Sequence, residues 1–171
     1  MYTSSPVKLV LAFILLIAFR SQFPEVQYVH KLLSNKEEDT FSPEKLVLHL
    51  LTSHGVSEIT ANYITAQAKF ESGYFNSTIY LENNNPFGMK LAKQRFTTAS
   101  GTNRGHACYP SIHDAVKDFV LWMEYSGVPK DITNLEAYVN LLKQKGYFSS
   151  CDKHYLNTIR EILSRSNGFV A

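Results

Sequence analysis

From residue 42 onward, signals that start and stop helices follow one another at short intervals, and this spacing restricts the chain to a fold of short helices. Residues 42–44 (Ser-Pro-Glu) combine an N-cap, a proline at the first helical position and a first-turn acid, and Gly55 ends that helix. Ser57 begins a second helix, for which Gly73 is the stop signal. The chain therefore enters its folded part with a helical hairpin.

Three further helices are predicted in the last third of the chain, each from a polar N-cap followed by an apolar face. They run from Ser111 to Gly127, from Thr133 to Gly146, and from Asp152 onward. Ser111 and Thr133 each have an acidic residue three positions later, which is the pattern of a capping box.

The stretch 86–110 differs in composition from the helical segments, because it is rich in glycine, proline, threonine and serine. Three short strands are predicted in it, at 87–90, 95–98 and 106–109, with a turn near 100–101. We therefore expect a small antiparallel hairpin lobe between helices. The predicted fold class is α+β and mostly helical.

The N-terminal part of the chain carries a hydrophobic run at residues 7–19, interrupted only by Lys8. This run is short for a transmembrane helix, which needs ~20 residues, and it has the length of a signal-peptide core. No clear cleavage pattern follows it. We predict that residues 1–20 are a signal peptide or an N-terminal membrane anchor, that 21–40 are a linker, and that 41–168 form one domain. The alternative is a buried N-terminal helix; the two leading interpretations place the domain in the cell envelope, periplasmic or secreted.

Charge and cysteine content narrow the range of partners. The formal net charge is only +2, and no stripe of lysine and arginine accompanies it, so we predict no nucleic-acid partner. The two cysteines, Cys108 and Cys151, form a disulfide if the domain is exported, or they are two unrelated thiols. The spacing of cysteines and histidines fits no metal site, so we expect neither metal nor cofactor. We expect a monomer.

Glu71 is the residue whose position is hardest to explain by packing. It closes a helical stripe that is otherwise apolar, formed by Ala61, Ile64 and Ala68. Low local polarity and the negative end of the helix dipole both favour the protonated carboxylic acid. A carboxylic acid that keeps its proton near neutral pH is what a glycosidase uses as general acid. The alternative is a surface glutamate near the end of a helix.

Three segments in a fixed order extend this argument. Residues 66–73 read Ala-Gln-Ala-Lys-Phe-Glu-Ser-Gly, residues 83–88 read Asn-Asn-Asn-Pro-Phe-Gly, and residues 146–155 begin with Gly-Tyr and end with Tyr. In this order they resemble the glucosaminidase family of peptidoglycan hydrolases, glycoside hydrolase family 73 of the lysozyme-like superfamily. The resemblance covers roughly residues 44–165. It implies a lysozyme-like fold, with a helical body, a small β lobe and a groove for peptidoglycan glycan strands.

The same resemblance implies roles for individual residues. Glu71 matches the catalytic acid, and Tyr147 matches a tyrosine that faces the catalytic groove. The residues implied to bind substrate are Asn84, Asn85, Phe87, Gly88 and Tyr109. Each has a structural alternative: asparagines that bond to their own turn, core aromatic residues, and a glycine that serves a tight turn. We interpret Tyr109, and also Tyr155, mainly as packing residues.

The chain departs from the family pattern in its β lobe, where many members carry a second carboxylate. Between Lys90 and Tyr109 there is no aspartate or glutamate. Glu82 is one candidate stand-in. Asp114 is another, although its place three residues after Ser111 favours a helix cap. A single-acid mechanism is the other route, either assisted by the N-acetyl group of the substrate or of the lytic-transglycosylase type that leaves an anhydro end.

Three functional hypotheses follow. The first is an exported hydrolase that cuts β-1,4 bonds of the peptidoglycan glycan strand, of the endo-β-N-acetylglucosaminidase type. The second is a weakly active or inactive peptidoglycan-binding module on the same fold. The third rejects the resemblance and leaves a membrane-anchored helical interaction domain.

Overall fold

The computed structural model describes residues 42–148 and 152–167. These residues form six α-helices and one two-stranded antiparallel sheet, which confirms the predicted α+β, mostly helical, lysozyme-like class. In chain order the elements are α1 Pro43–Ser53, α2 Glu58–Glu71, α3 Thr78–Asn83, β1 Gly101–Asn103, β2 His106–Cys108, α4 Ile112–Ser126, α5 Leu135–Gln144 and α6 Asp152–Asn167.

Two of the predicted N-caps, Ser57 and Ser111, are confirmed by their side-chain hydrogen bonds. The Ser57 side chain accepts a hydrogen bond from the backbone N–H of Thr60, and Ser111 caps α4 in the same way. The prediction that Thr133 caps α5 was wrong by one residue. Asn134 is the N-cap, and its side-chain oxygen accepts from the backbone N–H of Ala137 at 2.8 Å. Asparagine caps as well as threonine does, so the two adjacent signals compete.

Helix α3 was not predicted. Ser77 is its N-cap and accepts a hydrogen bond from the backbone N–H of Tyr80. At six residues, α3 is too short to show a helical hydrophobic period, so the serine was the one available signal. The helix contacts β2 and so connects the hairpin to the helical body.

Helix α2 lies at the centre of the helical body. It packs against α1 and α6, while α1 also packs against α4, and α5 packs against α6. The stripe formed by Ala61, Ile64 and Ala68 is fully buried, as its spacing predicted. Small alanine side chains let the neighbouring helices approach α2 closely, and burial of this apolar face is the main source of helix stability here.

The β lobe is smaller than predicted and is built differently. Strands β1 and β2 pair with Thr102 opposite Ala107, and the turn between them is Arg104-Gly105, both left-handed. The predicted turn at 100–101 was therefore wrong, because Gly101 begins β1. Of the three predicted strands only 106–109 corresponds to an observed one.

The segment 87–90 is not a strand because a side chain takes the place of a strand partner. Asn85 Nδ2 donates to the carbonyls of Met89 and Ala107, both at 2.9 Å, and Asn85 Oδ1 accepts from the N–H of Met89 at 3.1 Å. The N–H of Ala107 in turn donates to the Met89 carbonyl at 2.8 Å. The buried asparagine amide thus fixes this loop beside β2 without a second hydrogen-bonded ladder.

The segment 95–98 is held by helix α4 instead of a strand. Arg95 donates from both terminal nitrogens to the two carboxylate oxygens of Asp118, at 2.7 and 2.9 Å. The Thr98 N–H donates to the same carboxylate, and its hydroxyl donates to a carbonyl of α4. Burial favours the neutral form of Asp118, but the hydrogen bonds that it accepts and the charge of Arg95 hold its pKa below the ordinary value.

Several sequence predictions fall outside the described residues. These are the hydrophobic run at 7–19, the linker at 21–40 and Cys151, and they remain predictions. None of the helices in the described part of the chain is long and apolar enough to cross a membrane. Among the described residues Cys108, at the end of β2, has no disulfide partner, and its pairing with Cys151 stays a prediction.

We expect Asp118→Ala to destabilise the protein by about 3–5 kcal/mol, because it leaves the charge of Arg95, whose side chain is only 8% exposed, without its partner. Urea unfolding followed by circular dichroism measures this change. Glu136→Ala is the matched control, since it breaks the exposed pair with Arg160 and should change the unfolding free energy little. Equal effects of the two substitutions would show that the buried pair is not what fastens this loop.

Candidate active site

A cavity of about 590 Å³ opens where the end of α2 meets the loop after α3 and the segment after α5. Its walls come from four parts of the chain that are distant in sequence. The lining residues are Glu71, Phe87, Gly88, Met89, Lys90, Ala92, Arg95, Trp122, Gly146, Tyr147 and Phe148. Four of the residues that the sequence singled out, Glu71, Phe87, Gly88 and Tyr147, are thus brought together.

Glu71 is the last residue of α2, and its side chain is half-buried. One carboxylate oxygen, Oε1, accepts a hydrogen bond from the Tyr155 hydroxyl at 2.9 Å. The other, Oε2, lies 3.8 Å from the position that a Cβ on Gly88 would occupy. Gly88 also has φ of 61°, which favours glycine. A glycine at this position therefore leaves the space beside Oε2 open to the cavity.

The pKa of Glu71 is raised above its ordinary value. Burial is the larger cause, because it penalises the charged carboxylate, and the hydrogen bond from Tyr155 opposes it with a smaller effect. The negative end of the α2 dipole acts in the same direction as burial. The side chain is thus held where a carboxylic acid keeps its proton to higher pH than an exposed glutamate does.

Tyr155, which sequence reasoning treated as a packing residue, belongs to the site as well. Its ring is buried between Phe148, stacked at 4.1 Å between centroids, and Phe70, edge-on at 5.3 Å. Burial, followed by the nearby charge of Glu71, raises the pKa of Tyr155, so its hydroxyl stays protonated and acts as a donor. The available signal was its place as the final tyrosine of the segment 146–155.

The Glu-Ser-Gly sequence has a local structural reason. Ser72 is fully buried, and its hydroxyl donates to the Ala68 carbonyl at 2.6 Å while accepting from the N–H of Phe75 at 2.9 Å. The next three residues, Gly73, Tyr74 and Phe75, are all left-handed, with φ of 55°, 57° and 62°. The serine therefore ends α2 and turns the chain away directly after Glu71.

Tyr147 lines the cavity and also holds its wall in place. Its hydroxyl donates to the carbonyl of Phe87 at 2.6 Å, and its ring meets Trp122 edge-on at 5.0 Å. The Phe87 ring is buried and stacks on Phe119 at 4.4 Å. Tyr147 thus connects the segment after α5 to the loop that carries Gly88.

Asn84, Asn85 and Tyr109 do not line the cavity. Asn84 is left-handed at the end of α3 and donates to the Tyr109 carbonyl at 3.0 Å. Asn85 is buried and bonds to the backbone of Met89. The Tyr109 hydroxyl donates to Asp118 at 2.8 Å. The geometry gives no support to their predicted contact with substrate; all three position the loop that does reach the cavity.

Neither proposed stand-in for a second carboxylate lies in the cavity wall. Glu82 is exposed and pairs with Arg104 at 2.6 and 3.0 Å, and the hydrogen bond from Arg104 is the main reason that its pKa is lowered. Asp114 accepts a hydrogen bond from the Ser111 hydroxyl at the start of α4. Glu71 is the only acid among the described lining residues. The described residues also contain no cluster of His, Cys, Asp and Glu able to hold a metal ion.

A mostly helical body with a small β hairpin, and a half-buried acid of raised pKa in a cavity, is the arrangement of the lysozyme-like class of proteins. Comparison with known sequences identifies the family within this class. The glucosaminidase family model, described as mannosyl-glycoprotein endo-β-N-acetylglucosaminidase, matches residues 51–168, and the chain belongs to this family.

A more distant likeness is to the protein bax of Escherichia coli (strain K12). The two are 32% identical over 113 aligned residues, and the match covers 60% of this chain and 41% of that protein. The chain therefore spans less than half the length of this relative. No solved structure matches the chain.

We expect Glu71→Gln to raise the unfolding temperature at about pH 8 and to leave it nearly unchanged at or below about pH 4. Because the pKa of Glu71 is raised in the folded protein, the free energy of unfolding falls as the pH rises from the ordinary pKa of ~4.3 through the raised pKa. Glutamine does not titrate, so the variant escapes this loss. Thermal unfolding across this pH range measures the difference between the two proteins.

Glu82→Gln is the matched control and should give a small difference of opposite sign at the higher pH, because Arg104 holds the pKa of Glu82 below its ordinary value. A Glu71→Gln variant that is less stable than the wild type at pH 8 would contradict the raised pKa.

Proposed function

We propose that the protein is a glycoside hydrolase that cleaves β-1,4 glycosidic bonds of peptidoglycan glycan strands, with Glu71 as general acid. Membership of the glucosaminidase family supports the class of reaction. The observation that carries the assignment to Glu71 is its position, half-buried in the cavity wall, with Oε2 beside the lining residue Gly88 and Oε1 bonded to Tyr155.

In the proposed reaction Glu71 enters protonated and transfers its proton from Oε2 to the glycosidic oxygen as the bond to the leaving sugar breaks. The carboxylate that forms is stabilised by the hydrogen bond that Oε1 accepts from Tyr155. Tyr147 and Gly88 keep the wall of the cavity at a distance that leaves Oε2 accessible.

The single acid favours a route in which the substrate supplies its own nucleophile. Glycosidases with two carboxylates place them ~5–10 Å apart across the bond, and the described walls of this cavity offer only Glu71. Attack by the N-acetyl oxygen of the substrate, followed by water, gives a hydrolysed end. Attack by a hydroxyl of the same sugar gives an anhydro end. Both routes need one proton donor.

A peptidoglycan-binding module with little or no turnover is the second candidate. The same observation favours it, because a cavity with one carboxylate lacks the second catalytic group of many glycosidases. The two candidates differ in whether the bond is cut, not in which surface meets the glycan.

We expect Glu71→Gln to lower the rate of glycan cleavage by about 10²–10⁴-fold, the usual contribution of general acid catalysis, because an amide cannot donate the proton. Purified peptidoglycan is digested and the soluble fragments are identified by mass spectrometry, which reads the cleaved bond and the new end group together. Glu82→Gln is the control and should retain activity.

The alternatives give different results in the same assay. If Glu82→Gln abolishes cleavage as well, Glu82 is the second carboxylate. If wild type and Glu71→Gln both release no fragments yet both sediment with peptidoglycan, the protein is a binding module and the hydrolase proposal fails.

We expect Tyr155→Phe to shift the fall of activity on the alkaline side to higher pH and to lower kcat by about tenfold. The hydrogen bond from Tyr155 favours the charged carboxylate, so its loss raises the pKa of Glu71 further, and the acid stays protonated to higher pH. The pH profile of kcat measures the shift.

Tyr63→Phe removes a hydroxyl that donates to the Thr133 carbonyl, far along α2 from the acid, and should leave the profile unchanged. A Tyr155→Phe profile that moves to lower pH, or does not move, would contradict the role of Tyr155.

A further inference from the structure

We propose that Lys90 is a binding group for a carboxylate carried by the glycan strand, so that the cavity favours acidic over neutral β-1,4 glycans. The inference rests on the proposed function in taking a peptidoglycan strand as the occupant of the cavity. It assigns to the β lobe a positive binding group where many family members carry a negative one.

The charge of the cavity comes from few side chains. Its described lining contains one carboxylic acid, Glu71, and two basic side chains, Lys90 and Arg95. Glu71 is neutral when it acts as a proton donor. The positive charge that a ligand meets therefore depends on the two basic residues.

Arg95 contributes little to that charge because it is already neutralised. Both of its terminal nitrogens bind the carboxylate of Asp118, which is fully buried. A guanidinium engaged in a two-point contact of this kind has most of its donors occupied and cannot swing toward a ligand. Arg95 therefore lines the cavity with its charge already paired to Asp118.

Lys90 is in the opposite situation. It is exposed, and no described carboxylate lies within ion-pair distance of its ammonium group. The following eighteen residues, 91–108, contain no acidic side chain that could neutralise it from within the lobe. Within the part of the chain that the structure describes, the charge of Lys90 is therefore left for a bound molecule.

The backbone that carries Lys90 is fixed. Its neighbour Met89 is buried, and the N–H and carbonyl of Met89 are held by Asn85 and by Ala107. A flexible four-carbon stem on a fixed base lets the ammonium reach an anionic group without moving the loop. Lysine in this setting acts as a point charge with three donors, which suits a carboxylate.

Peptidoglycan offers such a group within the strand itself. Every second sugar carries a lactyl ether, whose carboxylate is free where no peptide is attached and is an amide where one is. An ammonium in the cavity would favour the free carboxylate by charge, and it would give no advantage to a strand of neutral N-acetylglucosamine units. The expected ligand is therefore a glycan with free lactyl carboxylates.

The test compares two oligosaccharides that differ only in charge. One is a peptide-free glycan fragment with free lactyl carboxylates, and the other is the same fragment after reduction of those carboxyls to alcohols. For Lys90→Gln, the ratio of kcat/KM on the acidic fragment to kcat/KM on the reduced one should fall about fivefold, the size of an exposed ion pair. Lys90→Arg should keep most of the ratio.

Lys93→Gln is the matched control, because Lys93 is an exposed lysine of the same loop that does not line the cavity, and its ratio should equal that of the wild type. Salt gives a second readout. KM on the acidic fragment should rise with ionic strength in the wild type and less so in Lys90→Gln.

Two outcomes would overturn the proposal: equal losses by Lys90→Gln on both fragments, or the same drop in the ratio for Lys93→Gln. If the wild type cuts neither fragment, the hydrolase proposal fails, and calorimetric binding of the two fragments to wild type and Lys90→Gln decides the role of Lys90 by the same ratio.

Discussion

The hydrogen bond between the Tyr155 hydroxyl and Glu71 connects the last residue of α2 to α6, and the site depends on it. It holds Oε1, while Oε2 lies beside Gly88 in the cavity wall. It also requires that α6 pack where it does, because the tyrosine ring reaches Glu71 only from between Phe148 and Phe70. Stability and acid chemistry therefore share one contact, and the burial that raises the pKa of Glu71 is the same burial that holds the helices together.

Two buried polar side chains fix the loops on one side of the cavity, as Tyr155 fixes Glu71 on the helical side. Asn85 satisfies the backbone of Met89, and Asp118 holds Arg95 and Thr98 against α4. In both cases one side chain supplies several hydrogen bonds to a loop that has no strand partner. Such networks specify a single loop position because every alternative leaves buried polar atoms unpaired.

Sequence reasoning succeeded where local chemistry decides structure and failed where distant side chains decide it. A serine cap or a glycine stop acts on residues within about four positions of itself, so the bounds of α2 and α4 were predictable. The segments 87–90 and 95–98 have a composition that suits strands. They are not strands, because Asn85 bonds to the first segment and Asp118 on α4 bonds to the second. The place of Glu71 at the end of a buried stripe was predictable from spacing, whereas its contact with Tyr155, 84 residues away, was not.

The left-handed run directly after Glu71 has a consequence for engineering. Tyr74 and Phe75 adopt a conformation that costs non-glycine residues roughly 1–2 kcal/mol each, and the two hydrogen bonds of Ser72 help to hold them there. Glycine at position 74 would relieve that strain but would remove the ring that faces the Lys69 ammonium at 5.7 Å and free the chain beside the acid. A glycine substitution here would thus relieve backbone strain, but it would also make the segment next to the proposed proton donor more flexible.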